Sequence, residues 1–351
     1  MAVERLVSPG EQAQTDLPER DRNYSLRPRR MDEYVGQPDL VQRLAITLSA
    51  VKARGEAMDH VLLHGPPGLG KTTLAHVIAE EMGDGSQVHV TSGPALTRPT
   101  DLVRVLCTLA PRDVLFIDEI HRLPVAVEEF IYPAMEDFRI DIKVESGMHA
   151  QTIQKPIAPF TLIGATTRAG MVSSPLRSRF GITHSLRYYD ADELLVILRR
   201  SAGLLSVEST DAALQQVAAR SRGTPRIANR LLRRVRDYAQ VKGDGRLTPA
   251  MVRDALALEG VDQLGLDEMD RAYLRVIATT YSGGPVGLEA VAATLNQDAG
   301  TLEDVVEPFL LQIGFLARTR RGRALTRTGA EHIGLPAAAV VSGPLFEPDD
   351  Q

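Results

Sequence analysis

The amino-acid sequence predicts three folded parts in succession: an α/β domain on a parallel sheet, a small all-helical domain, and a third part made of three helices and a basic β-hairpin. Three observations carry this. Within residues 1–189, four short apolar runs are separated by segments of helical length, the alternation that builds a parallel sheet covered by helices. Beyond Tyr189 the strand-like runs stop and Thr-Pro pairs of the kind that open helices follow. Further on, two short runs flank Arg320-Arg321-Gly322-Arg323, the outline of a hairpin.

Each element has its own signal. Residues 1–25 mix Gly, Pro, Gln and both charge signs without a period and read as a loose arm, with order beginning near Leu26. A helix period over residues 39–52 leads into the run 60–64, and similar runs at 87–91, 114–117 and 160–165 complete the predicted strands. In the part spanning residues 190–260, Asp190 or Asp192 can cap a first helix. Thr224-Pro225 and Thr248-Pro249 supply N-cap and first-turn proline for two more, which close near Gly243 and Gly260 with glycine as the left-handed residue. Residues 261–335 read as a helix over 267–281, a Gly-Gly-Pro turn, a helix over 288–295, and a capping box Thr301-Leu302-Glu303-Asp304 opening a helix to about Ile313. Strands at 315–319 and 324–327 follow, giving the order of a winged helix. Residues 336–351, rich in Ala and Pro with an acidic end, are expected to be a disordered tail.

Composition narrows the function classes. With 351 residues, 44% apolar and 24% charged, the chain can bury real cores, which excludes a disordered, collagenous or coiled-coil protein. The single cysteine, Cys107, excludes an internal disulfide framework and a cysteine-built zinc cage, so a reducing compartment, the cytoplasm, is expected. No stretch approaches 18 uncharged apolar residues, and the start lacks a basic region followed by an apolar one, so neither a membrane span nor secretion is expected. At a formal net charge of −5, any contact with nucleic acid has to come from a local basic patch.

Gly65-Pro66-Pro67-Gly68-Leu69-Gly70-Lys71-Thr72 has the full P-loop pattern, directly after a strand and at the start of a helix ending near Gly83. Glycines let backbone N–H groups turn inward on phosphate oxygens, and the helix start adds its positive dipole end. Lys71 can reach the outer phosphates, Thr72 offers a hydroxyl to Mg²⁺, and Thr73 can add a phosphate contact. Asp118 and Glu119 end the run 114–117, which puts Asp118 beside Mg²⁺ and lets Glu119 orient and deprotonate a water. The pair points to ATP hydrolysis rather than binding alone.

The basic patch is Arg318, Arg320, Arg321, Arg323 and Arg327, all within ten residues of the hairpin. On the helix before it, Glu303, Asp304 and Glu307 would repel phosphate where a sequence-reading protein carries Asn, Gln and Arg. Binding to DNA phosphates without regard to sequence is therefore expected.

These residues resemble the AAA+ ATPases, and within them the bacterial Holliday-junction branch-migration motors. The resemblance rests on Leu26-Arg27-Pro28, Tyr34-Val35-Gly36-Gln37, the P-loop segment 60–81, the segment 113–123 and Tyr132-Pro133-Ala134-Met135-Glu136-Asp137-Phe138. It continues through 160–170, Ser174-Pro175-Leu176-Arg177-Ser178-Arg179-Phe180-Gly181, Ser221-Arg222-Gly223-Thr224-Pro225-Arg226 and 265–270, covering about residues 24–335. It implies an AAA+ P-loop core with a five-stranded parallel sheet, a helical lid and a C-terminal winged-helix domain. By the same resemblance Leu26 and Arg27 lie near the adenine, Thr167 is the polar sensor, and Tyr189 and Arg226 face the nucleotide from the lid. Arg226, in the first turn of a helix where a cation opposes the dipole, independently suits an anionic partner. Glu136, Asp137 and Phe138 are implied to touch nucleotide across a subunit boundary. Arg179, with Arg177 as the alternative, is implied to be a finger acting on a neighbour's ATP. Arg318 and Arg323 match DNA-contacting arginines.

The resemblance further implies ATP and Mg²⁺ as cofactors and a homo-hexameric ring. Its partners would be duplex DNA and Holliday junctions, the junction-recognition protein RuvA and the resolvase RuvC, in recombination, DNA repair and the SOS response to damage. Residues 144–156 depart from the family's partner-contacting hairpin in chemistry while keeping its length. Two other classes share a nucleotide core: ATP-switched initiators or helicase loaders, for which the acidic helix before the hairpin is a poor reader of bases, and clamp-loader subunits, which are not expected to carry a winged helix. Asp118-Glu119-Ile120-His121 also has the form of a DExH helicase string, but the neighbouring strings favour AAA+, which leaves His121 structural.

Overall fold

The structure is a computed structural model that describes residues 26–83, 85–143 and 152–336. The expected arm, residues 337–351 of the tail and residues 144–151 of the divergent 144–156 segment lie outside the described residues. The chain divides into two compact units, residues 1–65, 70–187 and 203–206 in the first, and 66–69, 188–202 and 207–351 in the second.

The first unit is built on a five-stranded parallel sheet of order β2-β3-β6-β1-β7: β1 (Val61–His64), β2 (Val88–Ser92), β3 (Val114–Asp118), β6 (Thr161–Thr166) and β7 (Ile182–Ser185). The central strands are the apolar runs of the sequence, and β6 is buried along its whole length. The fifth strand, which the resemblance implies but no apolar run marks, is β7: Ile-Thr-His-Ser at a sheet edge alternates in exposure. Around the sheet lie α1 (Pro38–Arg54), α2 (Lys71–Met82), α3 (Pro99–Leu106), α4 (Val125–Glu136) and the single turn α5 (Ser174–Arg177). A core of Leu102, Leu115, Ile117, Ile131 and Phe160 fills the space on one face. The expected hairpin forms from β4 (Arg139–Lys143) and β5 (Thr152–Pro156).

The second unit holds α6 (Ala191–Leu204), α7 (Asp211–Ala219), α8 (Pro225–Lys242) and α9 (Pro249–Leu258), four helices where three were expected. The missed helix, α7, is opened by Thr210, whose hydroxyl accepts from Ala213 N. Asp190 rather than Asp192 caps α6, through reciprocal bonds with Glu193. Thr248 caps α9 as expected. Thr224 occupies the N-cap position of α8 but turns its hydroxyl to Arg222 O at 3.1 Å instead of capping. Gly260 is left-handed (φ 69°), whereas Gly243 is extended (φ −141°) and the left-handed turn falls at Gly245. The glycine at 243 serves close packing, because a Cβ there would lie 2.8 Å from Met251 Cε.

The last part of this unit has α10 (Glu268–Thr279), α11 (Leu288–Leu295) and α12 (Ala299–Thr301), which runs through a π turn (Leu302–Val306) into α13 (Glu307–Gln312). The cap before α12 is Asp298, accepting from Thr301 N at 2.8 Å, so the expected Thr301 capping box does not form. The hairpin pairs β8 (Leu316–Thr319) with β9 (Gly322–Leu325), and α14 (Arg327–His332) follows. The second strand ends two residues earlier than expected, at Leu325, because Thr326 caps α14 and takes Arg327 into that helix. Tyr273, Leu274, Ile277, Leu302 and Leu310 form the core beneath the hairpin.

Candidate functional site

The P-loop leaves β1 in a conformation only glycine tolerates. Gly65 has φ 135°, and a Cβ on it would lie 2.7 Å from Leu186 O; Gly70, at φ 97°, opens α2. Lys71 is buried and folds back so that Nζ donates to Gly65 O at 2.7 Å, closing the turn. Thr72 and Thr73 stand half-buried in the first turn of α2, which carries no acidic residue to compete with a phosphate. Leu26 is buried, and Arg27 lines a cleft of about 320 Å³ with His76, Glu80 and Val88. Burial, reinforced by Arg27, holds the His76 imidazole below its ordinary pKa.

Asp118 ends β3, two strands from β1 across β6, so the P-loop, Asp118 and the residues after β6 gather at the carboxyl edge of one sheet. Asp118 Oδ1 accepts from Glu119 N at 3.0 Å. Glu119 is left-handed (φ 49°), a conformation that costs a non-glycine residue about 1 kcal/mol or more. Two contacts hold it there: Arg122 N donates to its carbonyl at 2.8 Å, and Gly93 lies so close to that carbonyl that a Cβ would collide. The Glu119 carboxylate faces Arg122 Nη1 at 2.9 Å and is half-exposed. Thr167 is exposed just past β6. Its neighbour Thr166 is buried, 2.8 Å from His121 Nδ1, and accepts from Arg168 N. His121 therefore ties the turn after Glu119 to the strand that carries Thr167, a link across 45 residues that no local sequence signal discloses.

Arg177 turns inward and donates to Ala169 O and Val172 O. Arg179 stacks its guanidinium 4.1 Å from the Tyr132 ring centre, donates to Pro175 O, and has Nε 3.1 Å from Glu136 Oε1. The structure thus brings Glu136 and Arg179 together. Asp137 is exposed and pairs with Arg139 at 3.1 Å. The Phe138 ring packs on Phe160 and His60 at 6.1 and 6.4 Å.

In the second unit the P-loop crown, residues 66–69, meets the start of α8. A Cβ on Gly68 would lie 2.7 Å from Thr224 Cγ2 and 3.1 Å from Arg226 Cβ, and Arg226 N donates to Gly68 O at 3.4 Å. Tyr189 is buried and its hydroxyl donates to Leu69 O at 3.3 Å. Arg226 is exposed in the first turn of α8, where no acidic residue stands.

On the hairpin, Arg318 and Arg323 are cross-strand partners. Both close on Glu307: Arg318 Nη2 donates to Oε2 at 2.5 Å and Arg323 Nε to Oε1 at 2.8 Å, while Tyr273 Oη donates to Oε1 at 2.5 Å. Glu307 is 0% exposed, so it is the internal counter-charge of the hairpin and not the phosphate-repelling surface residue expected. Burial pushes its carboxyl up, but hydrogen bonds from Arg323, Tyr273 and Arg318 more than offset this and hold it below the ordinary value. Arg320 and Arg321, in the two-residue turn, are exposed and make no ion pair among the described residues.

Comparison with known proteins is consistent with this division of labour. Three family models match in succession: the Holliday junction DNA helicase RuvB P-loop domain over residues 26–186, the RuvB AAA lid domain over 189–262, and the RuvB C-terminal winged helix domain over 263–334. The chain belongs to the RuvB family. A RuvB family relative from Kosmotoga olearia, a Holliday junction branch migration complex subunit, is 52% identical over 344 residues, 98% of each chain. A namesake from Myxococcus xanthus is 54% identical over 322 residues, 92% of this chain and 93% of its own. Thermotoga maritima RuvB, described as a Holliday junction branch migration motor, superposes with a TM-score of 0.80 at 51% identity over 89% of this chain and 99% of that one. The RuvB family architecture is therefore a P-loop core, an AAA lid and a winged helix, and this chain has all three.

Proposed function

We propose that this chain is the ATP-hydrolysing motor subunit that drives branch migration of Holliday junctions in recombination and DNA repair. It would work in the cytoplasm as a homo-hexameric ring with RuvA, and with RuvC as a further partner. Among the described residues no helix is long and apolar enough to cross a membrane, which suits that location. One observation carries the reading: a P-loop and a strained carboxylate turn share one sheet edge, in a chain that also presents open arginines on a hairpin.

In this reading Lys71 and the amides of Gly68 and Gly70 bind the phosphates, with Thr73 beside them, and Gly65, whose own amide donates to Thr166 O at 3.1 Å, shapes the turn around them. Thr72 and Asp118 offer only oxygen donors, and beyond Oδ1 accepting from Glu119 N the Asp118 carboxylate has no hydrogen bond among the described residues, a set that suits Mg²⁺. Bound there, Mg²⁺ would supply charge neutralisation at the phosphates. Glu119 takes the proton of the attacking water, its half-exposed carboxylate standing 2.9 Å from Arg122 Nη1. Thr167 senses the outer phosphate, Leu26 and Arg27 hold the base, and Tyr189 and Arg226 approach from the lid. Arg179, with Glu136 and Asp137 nearby, acts on the ATP of a neighbouring subunit.

The test is strand unwinding of a four-way junction with ATP, with and without the cognate junction-binding protein. Unwinding is expected for the wild type. Lys71→Ala should lose ATP binding, and Glu119→Gln should bind ATP while turnover falls about 10²- to 10⁴-fold. Junction binding that responds to ATP but never yields separated arms would replace the motor with an ATP-switched loader, and undiminished hydrolysis by Glu119→Gln would remove its role.

A further inference from the structure

The segment 222–226 is gripped at both ends. At its start Arg222 is left-handed (φ 52°) and its side chain is 8% exposed. Nε donates to Gly265 O at 2.7 Å, and Nη2 lies 2.8 Å from Asp267 Oδ2 and 2.6 Å from Asp270 Oδ2. The guanidinium also stands 5.2 Å from the Phe309 ring centre on α13. Arg222 belongs to the lid domain, and every one of these partners belongs to the winged helix. Asp267 and Asp270 are the two halves of the capping box that starts α10, so one buried lid arginine holds the first helix of the head by its cap. The neighbouring contacts repeat the arrangement. Gly265 fits so closely that a Cβ would lie 2.6 Å from Arg220 O, and Arg271 of α10 donates to Gly260 O and Leu266 O.

At the other end the same five residues touch the P-loop crown through Thr224, Arg226 and Gly68, as described above. Between the grips Gly223 is left-handed, and its carbonyl accepts from Tyr189 N at 2.9 Å. Pro225 fixes φ at the start of α8. A segment this short, with fixed dihedrals and both ends held, has little freedom to absorb a displacement.

We infer that residues 222–226 are a strut that carries changes at the nucleotide-binding loop to the winged helix, with Arg222 as the positioning residue at its head end. The inference rests on the motor reading above. A cluster that only stabilised the fold would account for the burial, but it would not need to join the P-loop crown to the cap of the head's first helix through five residues. The left-handed Arg222 points the same way: its strain persists because four side-chain contacts over-determine it.

The experiment uses the full chain and compares Asp267→Asn and Arg222→Gln with wild type in ATP turnover, junction binding and junctions unwound per ATP. Asparagine retains the oxygen that caps α10 and removes the charge that Arg222 grips, so Asp267→Asn alters the strut and spares the helix. Turnover and junction binding should stay within about twofold of wild type, while unwinding per ATP falls roughly tenfold, the scale of a coupling between two sites. Arg222→Lys, which keeps the charge without the planar fork, should fall between. Unchanged unwinding per ATP, or a loss that merely tracks turnover, overturns the strut. Should Arg222→Gln fail to fold by thermal melting, Asp267→Asn decides on the same terms. A wild type that unwinds no junction refutes the motor reading instead.

Discussion

The nucleotide part and the winged helix hold their charged residues in opposite ways. In the first, main chain holds several of them, Lys71 by Gly65 O, Asp118 by Glu119 N, and Arg177 by Ala169 O and Val172 O, while Glu119 pairs with Arg122. In the second, charges hold one another, with Arg318 and Arg323 around Glu307 and, at its joint with the lid, Asp267 and Asp270 around the lid's Arg222. The difference has a physical origin. Main-chain contacts can position a group that must meet a phosphate without cancelling its charge. A charge buried in the fold needs a counter-charge, or it titrates away. By this criterion Arg320 and Arg321 are the wing residues most available to DNA, and Arg318 and Arg323 spend much of their charge inside the domain.

Arg179 is where the comparison can break, because it lies in the first unit yet is held by a carboxylate and an aromatic ring. As a finger on a neighbour's ATP, Arg179→Ala should bind ATP nearly normally and hydrolyse it about 10³- to 10⁵-fold more slowly. Mixing it with Lys71→Ala subunits should then restore activity, since an intact P-loop meets an intact arginine. If Arg179 serves only Glu136 within its own chain, the substitution lowers the melting temperature, and mixed rings hydrolyse no faster than the two variants apart.

The same contrast explains what was legible in the sequence. Gly65 to Thr72 and Asp118-Glu119 could be read because loop geometry there is local: each residue's place follows from its immediate neighbours, and a motif encodes it. The central strands were legible as apolar runs, whereas β7, polar at the sheet edge, was not. At the hairpin the sequence showed five arginines and three acids but not that Glu307 lies beneath Arg318 and Arg323, since pairing across 11 and 16 residues depends on how α13 packs. The Thr301 capping box failed for a related reason. Asp298, three residues upstream, accepts from Thr301 N and starts the helix earlier, so Thr301 lies inside it and not at its cap.

A second set of substitutions sharpens the comparison at the wing. Removing both open guanidiniums, Arg320→Ala with Arg321→Ala, should weaken DNA binding on every sequence alike and flatten the salt dependence by about 0.9 in slope for each phosphate no longer neutralised, with no change in melting. Arg318→Ala and Arg323→Ala should also weaken binding without regard to sequence. They differ in leaving Glu307 buried with one partner fewer, at about 1 to 3 kcal/mol of stability. Chemical denaturation alongside a salt titration separates the two pairs. Equal stability losses in both would mean that Glu307 does not organise the wing, and weakening confined to some DNA sequences would indicate base reading.

The smallest expected effect is a pH dependence of opposite sign at the two buried carboxylate clusters. Glu307 is held below its ordinary pKa, so its contribution to stability is present above the unfolded value and is lost as pH falls through the lower folded one. Asp270 shares one arginine with Asp267, and burial, opposed by Arg222 but reinforced by the Asp267 charge, pushes its carboxyl up to about 7. For that group the folded state keeps a proton that the unfolded chain has already released, so stability falls as pH rises from about 4 to 7. Melting midpoints measured across this range should therefore decline more in wild type than in Asp270→Asn, which has no proton to lose there. Below pH 4 the ranking should turn on Glu307, with Glu307→Gln removing the acid-side loss. Parallel wild-type and Asp270→Asn curves between pH 4 and 7 would show that Arg222 keeps Asp270 ionised throughout. The joint and the wing would then hold their charges in the same way.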